Sequence, residues 1–400
     1  MKTLRKYTFI LLSAVISFVI ATACSSDGPE PDPTPASTHR TLIIYMAADN
    51  NLSRYSDDNI RQTLSAVEAG ALQGGRIVLF RTTPTGQPYL AEINEKSGEF
   101  EVIKEYDDNT SCLEPSRMNE IISDAIRLAP ADEYGLILWS HGTGWINESD
   151  SRATANHTDV SATRPYSFGV DSYGPSSTTI RMSVPSLAKA LENFKFRFIY
   201  FDCCFMATVE TFYELRDLAD YIIASPTELP VEGMPYTTNI PEMLKPSLNL
   251  KQIAANTLAY YLSGEASLPY CTITLVNTEH LDRLAAATKA IMQTGAVNSL
   301  TYSPLPYYRN SVPSYLWDMH DFINNLDVDQ ALLSEWNQTF NKAVEYYGHT
   351  DISYYVPMTG THGLGAFYYS PTTEYLIDRY DYPSLAWWRD VVSYNPSINP

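Results

Sequence analysis

Basic residues are scarce in this sequence of 400 amino acids, in which 27 Lys and Arg face 46 Asp and Glu, for a formal net charge of −19. A protein that binds nucleic acid needs clustered Lys and Arg to neutralise phosphates, so we expect no nucleic-acid partner. An excess of negative charge keeps an exported protein soluble and attracts basic substrates through its long-range field.

Cysteine patterns typical of metal sites are also absent. The sequence has five cysteines and no CxxC pair, and a vicinal Cys-Cys pair is a poor chelate, so we expect no structural zinc site. Isolated thiols in an exported protein do not form a disulfide framework, which leaves a catalytic thiol as one interpretation. Cys112 and Cys271 suit the other interpretation, a buried apolar side chain.

The N-terminus has the features of a secretory signal. A positively charged head is followed by an apolar run that ends at Ala23, which is short for a membrane span, so we interpret residues 1–23 as a signal peptide. The run ends in Ala-Thr-Ala-Cys, which resembles the lipobox of bacterial lipoproteins, where the signal peptide is cut before a lipidated cysteine. We therefore expect Cys24 to be the acylated N-terminus. Ordinary cleavage after Ala23 is the alternative.

A proline-rich stretch follows the cysteine. Residues 24–39 contain four prolines and no large apolar side chain, which predicts a disordered, extended tether. Its early acidic residues, Asp27 and Glu30, resemble the surface-export tag of some Gram-negative lipoproteins. Together these features predict an exported protein that a lipid anchor holds at the outer membrane or cell surface of a Gram-negative bacterium.

Strand-like and helix-like segments alternate along residues 40–245, in a chain whose 44% hydrophobic content supplies a substantial core. Helical patterns separate four apolar runs, which are typical of strands buried on both faces. This alternation predicts an α/β domain with a mostly parallel sheet flanked by helices. Beyond it, we expect residues 246–400 to form a C-terminal, mainly helical α+β subdomain. The four runs are Thr41–Ala47, Arg76–Arg81, Tyr134–Trp139 and Phe196–Phe201.

Two chemically interesting sequences follow neighbouring buried runs. His141 lies in Ser-His-Gly-Thr-Gly after the third run, and Cys203-Cys204 follow the fourth. Ligands of open α/β sheets bind beyond the carboxyl ends of the strands, so we expect these side chains to share one cleft. A thiol needs a nearby base to become a nucleophile, and His141 can supply it. A serine hydrolase is the alternative, but it needs a G-x-S-x-G elbow that the sequence lacks.

Asp202 lies two residues before Cys204, so on an extended segment both side chains point to the same side. A carboxylate beside a thiol raises the pKa of the thiol and does not activate it. We therefore interpret Asp202 as the floor of a pocket that binds a cationic side chain.

Three segments resemble clostripain-family cysteine peptidases in order and spacing: YMAADNNL (45–52), LILWSHGTGW (136–145) and FDCCFMATVETFYELRDLADYIIASPTELP (201–230). The resemblance covers most of residues 40 to 245 and implies a caspase-like fold with a Cys/His dyad. It implies that His141 is the catalytic histidine, Cys204 the nucleophile and Asp202 the pocket acid. The backbone N–H groups of Gly142 and Cys204 would form the oxyanion hole. The implied activity is cleavage of protein or peptide substrates after Arg or Lys.

Two positions depart from the family's pattern. The family usually has alanine where this chain has Cys203, and a vicinal disulfide with Cys204 would silence the enzyme, although such bonds are strained. It often has glycine at the position of Ala207. Glu228 and Glu232 fall in a loop that resembles the family's pocket wall. Clostripain itself is calcium-dependent, which leaves room for a bound calcium ion, but the sequence has no compact acidic calcium loop, and the chemistry needs no cofactor.

The resemblance also implies activation by internal cleavage after a basic residue. The stretch from residue 146 to 178 is polar with little periodicity, which is typical of an exposed segment open to nicking. Arg152 is the expected site, because Arg164 precedes a proline and Arg181 lies next to a predicted helix. A surface insertion that is never cut is the alternative. For the whole protein, the alternative is a catalytically silent, surface-binding lipoprotein with the same fold.

Overall fold

The computed structural model describes residues 37–146, 167–174, 178–307, 316–368, 373–396 and 398. The lipidation site expected at Cys24 and the processing site expected at Arg152 lie outside these residues. In the described part of the chain, every helix is too short or too polar to cross a membrane.

Four of the fifteen strands in the described residues, β1, β2, β5 and β8, lie close to the four predicted apolar runs. They are β1 (Thr38–Met46), β2 (Arg76–Arg81), β3 (Tyr89–Ile93), β4 (Phe100–Glu105), β5 (Ala131–Trp139), β6 (Phe168–Tyr173), β7 (Thr178–Met182), β8 (Phe196–Asp202), β9 (Ala219–Ala224), β10 (Thr272–Asn277), β11 (Trp317–Asp318), β12 (Val344–His349), β13 (Ile352–Ser353), β14 (Val356–Pro357) and β15 (Gly365–Ala366).

The α-helices lie mostly between these strands. They are α1 (Ser53–Glu68), α2 (Pro115–Leu128), α3 (Val184–Leu191), α4 (Val209–Glu214), α5 (Tyr236–Met243), α6 (Leu250–Leu262), α7 (Leu281–Met292), α8 (Met319–Asn324), α9 (Gln330–Ala343), α10 (Glu374–Arg379) and α11 (Ala386–Asp390). Ser183 caps α3, because its hydroxyl accepts the N–H of Ser186 at 3.1 Å.

Nine strands form one sheet in the order β12-β10-β9-β8-β5-β1-β2-β3-β4. The five central strands, from β9 to β2, run parallel, while antiparallel pairs extend the sheet at both edges. The predicted fold class, a mostly parallel sheet flanked by helices, is therefore confirmed. The antiparallel β3 and the β6–β7 hairpin were not predicted.

Side chains of the central strands alternate between two apolar layers, one on each face of the sheet. On β1, Ile43 and Tyr45 pack into one layer, and Leu42 and Ile44 pack into the other. All four are buried. Because both faces are covered, the strand reads as a continuous apolar run and not as an alternating pattern.

The sheet continues beyond residue 245, where the sequence analysis places a boundary between two units. That position lies between α5 and α6, outside any helix or strand. Strand β10 pairs antiparallel with β9, and β12 pairs antiparallel with β10. The C-terminal region therefore adds two strands to the sheet that carries the predicted dyad.

The register of β5 and β8 decides where the candidate site lies. These parallel strands are neighbours, and Trp139 on β5 is aligned with Asp202 on β8. His141 and Cys204 each follow their aligned residue by two positions. The sheet therefore places His141 and Cys204 next to each other, beyond the carboxyl ends of β5 and β8.

Candidate active site

The loop that carries His141 is fixed by the chain at the start of β6. Gly169 donates its N–H to the carbonyl of His141 at 2.9 Å, and Thr143 donates its N–H to the carbonyl of Ser167 at 3.1 Å. Ser167 and Gly169, which are distant from His141 in sequence, therefore hold the backbone of this loop.

Gly142 brings the two chemically interesting loops into contact. A Cβ added at this position would lie 2.5 Å from the carbonyl oxygen of Cys204 and 3.2 Å from the Cβ of Cys203. Only glycine allows the backbone to approach so closely. The sequence SHGTG thus has a packing reason for its first glycine, and the loop of His141 lies directly against the loop of Cys204.

The imidazole of His141 is held by a side chain from the loop after β1. Its Nε2 lies 2.8 Å from Oδ1 of Asn51. An amide oxygen only accepts, so Nε2 carries the hydrogen and Nδ1 is the basic nitrogen of the ring. Burial lowers the pKa of His141 to about 4, with Arg181 adding to the effect, so the ring is neutral at neutral pH.

The thiol of Cys204 contacts the backbone of Leu229. The N–H of Leu229 donates to Sγ at 3.3 Å, and the thiol donates to the carbonyl of Leu229 at 3.7 Å. Burial raises the pKa of Cys204 to about 12, and the nearby carboxylate of Glu228 acts in the same direction. In this arrangement the thiol is protonated at neutral pH.

A strained turn positions the cysteine. Phe205, the next residue, has a φ of 61°, which side chains other than glycine rarely adopt. Its N–H donates to the carbonyl of Thr227 at 3.0 Å, and the N–H of Ala207 donates to the carbonyl of Ser225, also at 3.0 Å. These bonds tie the turn to the chain after β9 and hold the strain in place.

Cys203 points away from the site. Its side chain is buried in the opposite apolar layer to the one against which Cys204 packs, and Sγ lies 3.9 Å from the carbonyl of Leu138. Burial raises the pKa of Cys203 well above its ordinary value. Both thiols are free.

Asp202 lies beneath the loop that follows Leu229. Its carboxylate is 4% exposed and accepts the N–H of Met234 and the hydroxyl of Tyr236, each at 2.9 Å. A Cβ at Gly233 would lie 2.7 Å from the carboxylate, so this loop also needs glycine. Burial raises the pKa of Asp202 to about 6.

Glu228 brings a second carboxylate to the same side. The residue is partly buried, and burial raises its pKa to about 7. Glu232, which the sequence analysis grouped with it, is instead bonded to the chain after α6, where it accepts the N–H of Ser267 at 3.1 Å. Of the two glutamates, Glu228 is the one whose charge raises the pKa of Cys204.

His141 and Cys204 thus each lie two residues beyond the aligned pair Trp139 and Asp202, at the ends of two parallel strands. The sequence profile of the clostripain family matches residues 44–359. This chain belongs to the clostripain family. It is therefore a cysteine-type peptidase with a caspase-like fold, as the resemblance implied.

Two solved structures place this clostripain-family chain among its neighbours. An inactive zymogen C11 protease from Parabacteroides distasonis is 28% identical, with a TM-score of 0.75, and the match covers 89% of this chain and 99% of that one. Iotapain, a secreted C11 cysteine protease from Bacteroides thetaiotaomicron, is 26% identical, with a TM-score of 0.75, covering 89% and 100%. A comparison with curated proteins finds no match.

Among the described residues of this clostripain-family chain, one group of side chains could hold a metal ion, and it includes none of His141, Cys204 and Asp202. Asp318, His320 and His362 offer atoms within 4.8 Å of one another. The carboxylate of Asp318 already accepts the hydroxyl of Tyr307 and the N–H groups of Asp321 and His362. These bonds give the cluster a packing role in joining α8 to the segment before β15.

Sequence reasoning missed the role of Asn51, although the residue lies within the segment YMAADNNL. The neighbouring Asn50 is structural, because its side chain donates to the carbonyls of Ala47 and Val170 at 2.9 and 2.8 Å. Nothing in the sequence distinguishes these two asparagines. The usable signal was position alone, since the loop after β1 opens at the same sheet edge as the loops after β5 and β8.

Asn51→Ala is expected to lower kcat by up to about 100-fold with little change in KM, because a misplaced imidazole loses its alignment. Asn51→Asp keeps an acceptor and adds a negative charge, which raises the pKa of His141. The acidic limb of its pH–rate profile should therefore move to higher pH, with much of the activity retained. An unchanged profile in Asn51→Asp, together with full activity in Asn51→Ala, would rule out this positioning role.

Proposed function

We propose that this protein is an endopeptidase that cleaves after Arg or Lys through a dyad of His141 and Cys204. The observation that carries the proposal is the contact of the two loops at Gly142, on strands whose register aligns Trp139 with Asp202. Family membership supports the class of chemistry. The test is hydrolysis of short fluorogenic peptides with Arg, Lys or Asp before the scissile bond.

The proposed reaction proceeds through a thioester. Sγ of Cys204 attacks the substrate carbonyl carbon while its proton passes to His141, and the N–H groups of Gly142 and Cys204 bind the developing oxyanion. His141 then gives the proton to the leaving amine. Water, deprotonated by His141, attacks the thioester and releases the acid and the thiol. No cofactor takes part.

In the proposed reaction, the contact between the Cys204 thiol and the backbone of Leu229 opens before the thiol attacks. The thiol now lies between the N–H and the carbonyl of that residue, and its pKa of about 12 leaves almost none of it as thiolate at neutral pH. His141, with a pKa lowered to about 4, is available as a base. A movement of the loop at 228–229 is therefore part of the proposed activation.

Specificity for a basic residue is assigned to Asp202, with Glu228 as the more exposed of two carboxylates. A carboxylate has about four lone-pair sites, and Asp202 uses two of them for Met234 and Tyr236. Two sites remain for a guanidinium or ammonium group. The carboxylates of Asp202 and Glu228 both raise the pKa of the Cys204 thiol. This effect supports a pocket beside the nucleophile.

Internal cleavage at Arg152 is the proposed activating step. The described residues on either side of 147–166 are bonded to each other, since the hydroxyl of Ser167 donates to the carbonyl of Ile146 at 3.1 Å. A cut within 147–166 leaves the bond between Ser167 and Ile146 in place, and the pairing of β5 with β8 holds the two fragments together. The candidate Arg181 instead lies within β7, which pairs with β6. That one neighbour is an inactive zymogen supports activation of this kind.

Purified wild-type protein is expected to give two fragments on a denaturing gel, split after Arg152, because the enzyme cuts itself after a basic residue. Cys204→Ala and Arg152→Ala should remain single chains, while Arg164→Ala serves as the matched control and should still be cut. N-terminal sequencing locates the cut. A fully active enzyme that remains one uncut chain would contradict this step.

Export with a lipid anchor at Cys24 is also proposed, and the secreted neighbour from Bacteroides thetaiotaomicron supports export. The mature N-terminus should carry acyl chains on Cys24, since two or more chains hold a protein stably in a membrane. Mass spectrometry of the membrane fraction checks this. Cys24→Ala is expected to release the protein or block its processing. An unmodified N-terminus in the wild type would exclude the anchor.

A further inference from the structure

The turn between β13 and β14 has an unusual composition. The two strands are joined by Tyr354 and Tyr355 alone, with φ values of 39° and 70°. Two-residue hairpins with positive φ at both positions strongly favour Asn-Gly or similar pairs. A bulky aromatic residue with positive φ is a steric outlier, so two in succession make this turn strained.

These tyrosines also expose their rings. Tyr355 is 81% exposed and Tyr354 is 42% exposed. Their rings meet edge to face, with centroids 5.1 Å apart, and the ring of Tyr354 lies 5.8 Å from that of Tyr270. We refer to Tyr270, Tyr354 and Tyr355 as the tyrosine platform.

The platform is joined to the chain that holds the nucleophile. The hydroxyl of Ser353, directly before Tyr354, lies 2.7 Å from the hydroxyl of Thr227. The carbonyl of Thr227 accepts the N–H of Phe205, the residue after Cys204. Two hydrogen bonds therefore lead from the strained turn to the turn of the catalytic cysteine.

Tyr270 gives the platform a second connection to the same region. Burial raises its pKa, and the carboxylate of Glu228 and the thiol of Cys204 act in the same direction. Two residues further along the chain, the hydroxyl of Thr272 lies 2.7 Å from the hydroxyl of Thr227. The platform is thus connected to the segment that contains Thr227 and Glu228, which lies beside the proposed nucleophile.

We propose that the tyrosine platform binds an apolar or aromatic side chain of the peptide substrate, flanking the basic residue that occupies the pocket of Asp202. The inference rests on the proposed peptidase function and names a second determinant of its specificity. Exposed aromatic faces offer contact area with little loss of conformational entropy, and another ring or an aliphatic chain stacks on them.

A purely structural role explains the turn less well. Glycine would relieve the positive φ, and exposed rings gain little from the core, so the tyrosines cost stability where they are. Strained residues of this kind concentrate at binding and catalytic sites. Tyr355→Gly is therefore expected to keep or raise the Tm while removing the ring.

The experiment uses peptides with Arg before the scissile bond and a single Ser→Phe change at each flanking position. In wild-type protein, Phe at one position should raise kcat/KM by roughly two- to twelve-fold, which corresponds to an aromatic pair. Tyr355→Gly should abolish this gain and leave the Ser peptide unaffected within two-fold. Tyr375→Ala removes an exposed tyrosine on α10 and is the matched control, which should retain the gain.

A gain that persists in Tyr355→Gly, or the absence of a gain at every position, would overturn the inference while the peptidase assignment stands. If wild-type protein cleaves none of the Arg peptides, the proposed function fails by itself. Binding of labelled peptides to Cys204→Ala, measured by fluorescence anisotropy, then tests the platform separately. Equal affinities for the Phe and Ser peptides would overturn the inference. Tighter binding of a Phe peptide would support it, provided that adding Tyr355→Gly to the Cys204→Ala variant weakens this binding.

Discussion

Cys204→Ala is expected to abolish peptide cleavage, whereas Cys203→Ala is expected to keep most of it. Removal of a covalent nucleophile costs several orders of magnitude in rate. Cys203 faces the core near the carbonyl of Leu138 and makes no contribution to the chemistry. Its loss should cost about 1 kcal/mol of stability through the buried volume that is removed.

The two variants control for each other, because they remove the same atom from adjacent positions. Initial rates on an Arg peptide, together with the Tm of each variant, make the comparison. A dead Cys203→Ala enzyme beside an active Cys204→Ala enzyme would show that the thiols have exchanged roles. That result would also contradict the placement of the two side chains in opposite apolar layers.

Asp202→Asn is expected to lose selectivity for basic residues by roughly 30- to several-thousand-fold, the effect of removing one partner of a buried charge pair. The measurement is the ratio of kcat/KM for an Arg peptide to that for a matched neutral peptide. Glu228→Gln should show a smaller loss of selectivity, because the side chain of Glu228 is more exposed to solvent than that of Asp202. An unchanged ratio in Asp202→Asn would refute the pocket assignment.

The same substitution should preserve or increase stability at neutral pH. Burial raises the pKa of Asp202 from 3.8 to about 6, so between these values the folded state binds more protons than the unfolded state. Stability therefore falls as pH rises through that interval, by up to about 3 kcal/mol. Asparagine does not titrate, and it can accept from Met234 while donating to the oxygen of Tyr236. Thermal unfolding at pH 5 and pH 8 checks this separation of stability from specificity.

Local patterns were enough to predict the parallel part of the sheet and the edge of the sheet at which His141 and Cys204 lie. Strands buried on both faces read as continuous apolar runs, and the carboxyl ends of neighbouring parallel strands meet at one edge. The sequence therefore predicts that His141 and Cys204 lie near each other, without the register of β5 and β8. The close contact of Gly142 with the carbonyl of Cys204 was not predicted.

Features that depend on contacts between distant segments could not be predicted. Leu229 acts on Cys204 through its backbone, which no side-chain pattern reveals. Asn51 resembles Asn50 in sequence, and only the fold shows which of them reaches His141. The turn at Tyr354 lacks the glycine or asparagine that marks a two-residue hairpin, so its strain was hidden in an ordinary β-like run.

The peptidase assignment is tested most directly by the mature wild-type protein and three fluorogenic peptides that differ only in the residue before the scissile bond. We expect cleavage after Arg and Lys, no cleavage after Asp, and no cleavage of any peptide by Cys204→Ala. This result would exclude the alternative of a catalytically silent surface-binding lipoprotein. Failure to cleave the Arg and Lys peptides, or equal cleavage after Asp, would contradict the assignment of His141, Cys204 and Asp202.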